Sequence, residues 1–529
     1  MERYDVAVIG GGHNGLVSAA YLARAGLRVI VLERRHLVGG AAVTEEPWPG
    51  YKVSTASYVV SLLQPKIVRD LELRRFGYDV IPLDPAYFMP FPDGRSLLLW
   101  DDPRRAAEQI ATLSRRDADA YLEYHRDLDE LADFVRPLLL RVPPRIPLRS
   151  LEDVRAALSL GGHLLRHRRS LAKVAELMTM SVADFLDRYF TDEAVKGALA
   201  PGGVIGIWGG PMSPGSAYVL LHHRMGGAGG IRGAWGFVRG GMGALSESIA
   251  ASARAAGADI RVDAPVARIE TAAGRARRIT LEDGTTIAAR AVASAIHPRT
   301  TFLDLVGEPN LPLDLVREIE RYRTRGGSAK VNVALSELPD FIAAPGTEPG
   351  PQHPEFIINP SIPYLERAWD DAKHGSPSER PMLDCVIPTT RDASLAPDGH
   401  HILTAFVQYA PYELAGGTWG DAERDALGDR VIETIAEYAP NVKGAVLLRE
   451  VLTPVDLEKR FGLLGGNIFH GEMAVDQLYS LRPAPQAGAY RTPVRGLYLC
   501  GSGTHPGGGV MGAPGHNAAG VILRDLRRL

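Results

Sequence analysis

The chain has 529 residues, 45% apolar and 23% charged, with 59 basic against 62 acidic side chains and a net charge of −3. It is too long for one hydrophobic core, and its balanced charge offers no field for holding nucleic acid by its phosphates. The two cysteines, Cys385 and Cys500, stand in no CxxC or metal-ligand spacing, so a disulfide framework, a redox dithiol and a metal site are all unexpected.

Val6, Val8 and Ile9 begin a short buried strand. Leu16, Ala19, Ala20 and Ala23 then recur at helical spacing, and Val29 to Leu32 form a second buried strand. The turn between the first strand and the helix holds Gly10, Gly12 and Gly15 in the pattern G-x-G-x-x-G. The first glycine permits the tight turn, the second lets backbone approach a pyrophosphate, and the third lets the helix pack on the sheet with its amides toward the phosphates. His13 and Asn14 share this turn and are read as positioning a cofactor. Glu33 follows the second strand, where a carboxylate takes ribose hydroxyls. This unit alone leaves NAD and FAD both open. No secretory leader pattern and no run of eighteen apolar residues occur, so a cytoplasmic location is expected.

The next stretch, "ERRHLVGGAA", adds Arg35, Gly39 and Gly40 instead of a third βα unit. Here the sequence resembles the flavin-binding oxidoreductases of the amine oxidase and phytoene desaturase group, which implies FAD. Many amine oxidases carry arginine just after the glycine pair, where this chain has Ala41. The resemblance implies a cofactor site assembled from three separated pieces. The middle piece, "GFVRGGMGALSESIAASARAAGADIRVDAPVARIE", opens a helix at Gly240, Gly241 and Gly243 and leads to Val266, whose backbone would touch adenine. The last, "LYLCGSGTHPGGGVMGAPGHNAA", supplies a strand, then Gly501 and Ser502 beneath the ribityl chain. Gly509, Val510 and Met511 follow, leading to a helix whose positive end faces the flavin. Gly507, Gly509 and Gly512 repeat the glycine spacing, but too little chain follows to build a second nucleotide fold.

The implied fold class is α/β: a Rossmann-like FAD-binding domain of the glutathione reductase type with an inserted α+β substrate domain. Residues 1–80, 225–300 and 490–529 are assigned to the first, and 81–224 (helical) and 301–489 (mixed) to the second. Two histidines are the catalytic candidates, His470 and His505; either can instead hold backbone. Glu472 and Asp476 are read as solvated or paired with arginines, and Ser57 and Tyr58 as flanking the flavin or packing. The basic amphipathic stretch 134–180 either faces the core or rests on a membrane at its cytoplasmic face.

Together these features imply an FAD-dependent oxidoreductase that dehydrogenates an apolar isoprenoid, carotenoid or lipid-like molecule by hydride transfer to flavin N5, passing electrons to oxygen or a quinone. Amine oxidation is the enzymic alternative, and a non-catalytic prenyl- or lipid-binding module of the same architecture the alternative from another class.

Overall fold

The computed structural model describes residues 2–527. Five parallel strands form the frame of the first sheet, in the order Asp259–Arg261, Val29–Leu32, Glu2–Ile9, Thr286–Ser294 and Leu497–Leu499. An antiparallel pair, Arg275–Leu281 and Val266–Ala272, extends from the N-terminal half of Thr286–Ser294. Val6 to Ile9 and Val29 to Leu32 are buried throughout, as central strands covered on both faces must be. The last strand therefore lies one strand away from the first.

Three helices cover one face of this sheet. His13–Arg24 packs against both Met242–Ala255 and Ala513–Leu526. Glycine decides how closely they approach: a Cβ on Gly515 would lie 2.1 Å from the Asn14 carbonyl oxygen. The tail thus seats directly on the N-terminal turn. Gly512, at φ +71°, starts the final helix.

A second, mixed sheet runs in the order Val446–Leu452, Ser328–Leu335, His401–Gln408, Met382–Val386, Glu355–Ile358, Tyr87–Pro90 and Ser96–Leu99. Its last two strands come from the first insertion, which is therefore not helical throughout: the alternation in Tyr87–Leu99 pairs at the sheet edge before the helices begin. One face carries Ala329, Val331, Leu383, Leu403 and Val407 against the helix Asp421–Ala436. The register places Lys330, Phe406, Asp384 and Ile357 in one row across the other face. Helices Arg115–Leu139, Val182–Asp187 and Ser216–Arg224 pack over that face with Phe406 and Ile357. Among the described residues, no helix is long and apolar enough to cross a membrane.

Candidate functional site

Between the two sheets lies a cavity of about 430 Å³. Its nucleotide end is lined by Gly10, Gly12, His13, Asn14, Gly15 and Glu33, then by Arg35, Gly39, Gly40 and Ala41, with Val266, Ser502, Gly509 and Val510 completing it. The turn is built for close approach. Gly10 sits at φ +94°, and a Cβ on Gly15 would strike the Gly10 carbonyl oxygen at 2.1 Å. A Cβ on Gly12, by contrast, would meet no atom nearer than 3.9 Å, so its face opens to the cavity. The Gly39 amide donates to the Gly11 carbonyl at 2.8 Å, tying the glycine pair to the first turn. Glu33 Oε2 accepts from the Gly11 amide at 2.7 Å and Oε1 from the Arg35 amide at 3.0 Å, fixing the carboxylate at the end of its strand.

Residues from the two ends of the chain meet here. Asn14 Nδ2 donates to Ser502 Oγ at 3.0 Å, while Asn14 Oδ1 and His13 Nε2 are buried with no partner in the protein. Burial pulls His13 down to about 4, against a hydrogen bond to the Gly509 backbone, so the ring is neutral near pH 7. Orphaned polar atoms at a glycine cradle with a helix N-terminus are what a dinucleotide would satisfy, and these residues fit FAD. Arg35 lines the cavity while its guanidinium pairs with Glu45 at 2.6 Å.

The rest of the cavity is formed largely by Tyr58, Ile205, Trp235, Phe406, Ile468 and Phe469, with Ser57, His223, His297, Lys330 and His470 among its polar groups. Lys330 is 2% exposed, its Nζ has no hydrogen-bond partner, and that nitrogen lies 3.6 Å from the centroid of the Tyr58 ring. Burial drives the amine well below its ordinary value of 10.5, opposed by the charge of Asp384. The Tyr58 hydroxyl donates to Asp384 Oδ2 at 2.6 Å. Burial raises Asp384 to about 6, held back by the Tyr58 hydrogen bond and Lys330. Glu355, buried on the next strand, is raised well above the ordinary carboxyl range by burial and by the Asp384 charge. The group is thus an amine whose charged form burial disfavours, set on an aromatic face, with the Asp384 carboxyl behind the ring and Glu355 beside it.

Of the two histidine candidates, only His470 lines the cavity. Its Nδ1 is unpartnered, its ring stacks on His297 at 5.9 Å, and burial, then the Arg482 charge, lowers it to about 4. Its backbone adopts φ 55° and its carbonyl accepts from Tyr322 Oη at 2.9 Å. His505 lies behind the wall: its Nε2 donates to the Leu138 carbonyl at 2.9 Å, and it holds the turn instead of facing a substrate. Gly501 and Met511 are also buried off the cavity; a Cβ on Gly501 would meet the Ala295 carbonyl at 2.3 Å, so that glycine serves strand packing. Glu472 pairs with Arg323 and Arg325, and Asp476 with Arg323. Trp235 lines the cavity, whereas the buried Tyr490 donates its hydroxyl to the His505 carbonyl at 2.7 Å.

Sequence reasoning missed Lys330 and Arg482. The first had a visible sign, a lysine inside the apolar strand "SAKVNVAL". Arg482 is fully buried and donates to the carbonyls of Phe469, Gly471, Glu472, Gln477 and Ser502, stitching the His470 segment to the last cofactor turn.

A family profile described as flavin containing amine oxidoreductase matches residues 15–523. Pyridine nucleotide-disulfide oxidoreductase domain-containing protein 2 of Rattus norvegicus is 45% identical, covering 100% of this chain and 94% of its own. Phytoene desaturase (lycopene-forming) of Pantoea ananas is 25% identical over 98% of this chain and 99% of its own. In fold, the chain is similar to cyclohexylamine oxidase from Brevibacterium oxydans IH-35A, with a TM-score of 0.59 at 18% identity over 99% of this chain and 100% of that one.

Proposed function

The chain belongs to the flavin containing amine oxidoreductase family, and from that premise we propose that it is an FAD-dependent dehydrogenase of a largely apolar, isoprenoid- or lipid-like substrate. Bound FAD supplies a two-electron acceptor for hydride. The observation that carries the reading is the wall of the cavity away from the glycine turns, which is aromatic and aliphatic. Among the described residues, the carboxylates lining the cavity are Glu33 and Glu282, both at its nucleotide end. An ammonium group entering this wall would meet no carboxylate on its surface, Asp384 lying behind the Tyr58 ring, and would carry a desolvation cost that a hydrocarbon does not. Likeness to a phytoene desaturase supports the same substrate class.

Forming a C=C bond removes a hydride from one carbon and a proton from its neighbour. Lys330 is assigned to hold that proton: its amine is unpartnered and inside the cavity, and burial lowers its pKa toward the range of a usable base. The resulting ammonium rests on the Tyr58 ring, whose hydroxyl is anchored by Asp384. His470 and His297, both neutral, hold position beside the cofactor end without competing for charge. Electrons then pass to oxygen or a quinone.

The test is anaerobic mixing of the flavin-loaded protein with polyene hydrocarbons, fatty acyl compounds and amines, following loss of oxidised-flavin absorbance. Bleaching by an apolar compound is expected. Bleaching by amines alone would establish amine oxidation instead, and a protein that stays colourless after FAD is added would leave a lipid-binding role.

A further inference from the structure

Helix Leu151–Arg166 is turned inside out. The residues it buries are Asp153 and His163, both polar. Asp153 receives Arg145 at 2.9 Å and the Arg149 amide at 3.0 Å, and His163 Nε2 donates to the Phe134 carbonyl at 2.9 Å. Glu152 pairs with Arg491 at 2.9 Å. Its outward face is the apolar one: Leu151, Leu158 and Leu165 are 77%, 71% and 73% exposed, with Val154 between them. The heptad spacing of the leucines sets them in one line along the helix. Ile146 and Leu148 in the preceding loop and Leu171 in the next helix are exposed as well. Seven of the seventeen large apolar side chains that are exposed among the described residues thus fall within residues 146–171.

A soluble helix buries its leucines and exposes its acids; this one turns Leu151, Leu158 and Leu165 outward and is anchored by the polar contacts of Glu152, Asp153 and His163, with Leu164 packed against the neighbouring core. Leaving three leucines in water is costly unless something covers them. Charge indicates what. Residues 141–173 contain eight arginines and lysines and only two acids, in a chain whose net charge is −3. Both acids are spent inward, on Arg145 and Arg491. Arg155 and Arg166 on the same helix, and Arg168 and Arg169 at the start of the next, are all exposed, and none forms an ion pair with a described residue. A two-fold contact with a second copy would set these arginines against their own equivalents. A bilayer with anionic headgroups suits both parts: leucines enter the acyl boundary while arginine stems lie along it with their heads at the phosphates.

We infer that the face built by Leu151, Leu158 and Leu165 with Arg155, Arg166 and Arg169 is a docking surface for an anionic lipid bilayer. The test is cosedimentation of the full, flavin-loaded chain with phosphatidylcholine vesicles made with or without phosphatidylglycerol. Wild type binds the anionic vesicles and is released by salt. The variant L151S/L158S/L165S binds at least about tenfold more weakly, and R155Q/R166Q/R169Q loses the preference for anionic lipid. Both keep their flavin absorbance, because these side chains face solvent. Failure of wild type to bind either vesicle, or unchanged binding by the leucine variant, would overturn the inference. So would a wild-type dimer that the leucine variant splits, which assigns the face to a second copy. Binding to polyglutamate but to neither vesicle would assign the arginines to an acidic protein.

Discussion

Replacing Lys330 by methionine keeps the volume of the side chain and removes its amine. Nζ has no hydrogen bond to lose and lies 3.6 Å above the Tyr58 ring, so the neighbouring structure should persist. A positioned base contributes about 10²- to 10⁴-fold, and flavin reduction by substrate in anaerobic stopped flow should slow by that factor while the bound flavin keeps its spectrum. Stability should move the other way. The folded pKa of Lys330 is depressed by burial, so between it and 10.5 the unfolded chain binds one more proton than the folded one. Wild-type stability therefore gains about 1.4 kcal/mol per pH unit from this residue as pH rises through that window, and the variant lacks the contribution. Denaturant midpoints measured at about pH 7 and about pH 9 should be flatter for K330M, and higher at the lower pH. Reduction at the wild-type rate would refute the assignment of the base; a variant less stable than wild type at neutral pH would refute the reading of an unpaired buried amine.

Three further perturbations separate holding the cofactor from holding the fold. Gly12 has φ −67° and ψ 165°, which alanine adopts freely, and its Cβ would project into open space; G12A should fold with a stability change within about 1 kcal/mol yet bind FAD at least about tenfold more weakly, read as flavin content beside a thermal melt. R482M removes a buried cation from five carbonyls and should cost about 3–5 kcal/mol in chemical denaturation, with R482K giving little rescue because an ammonium lacks the planar fork. His470 and His505 both titrate near 4 when folded, through burial, against 6.5 ordinarily. Their stability is complete above about pH 6.5 and is lost as pH falls toward 4, up to about 3 kcal/mol each; H505Q, whose amide still donates to Leu138, should flatten that acid limb in pH-dependent unfolding.

What was legible in the sequence is what contiguous residues build among themselves. The turn from Gly10 to Gly15 and the acid at Glu33 belong to one strand–helix–strand unit, so spacing alone specifies their geometry. The same holds for Gly512 at the start of the last helix. Where the ring of His505 points is not such a property; its partner, the Leu138 carbonyl, comes from a helix more than 350 residues away in sequence. Lys330, Tyr58, Asp384 and Glu355 lie on separate strands or loops, and only the register of the second sheet makes them neighbours. Helical periodicity announced an amphipathic stretch over 134–180, within which helix Leu151–Arg166 lies, but period carries no sign: it says that one face differs from the other. Which face turns inward was decided by Asp153 and His163 finding partners on neighbouring chain, because an unsatisfied buried polar group costs more than an exposed leucine.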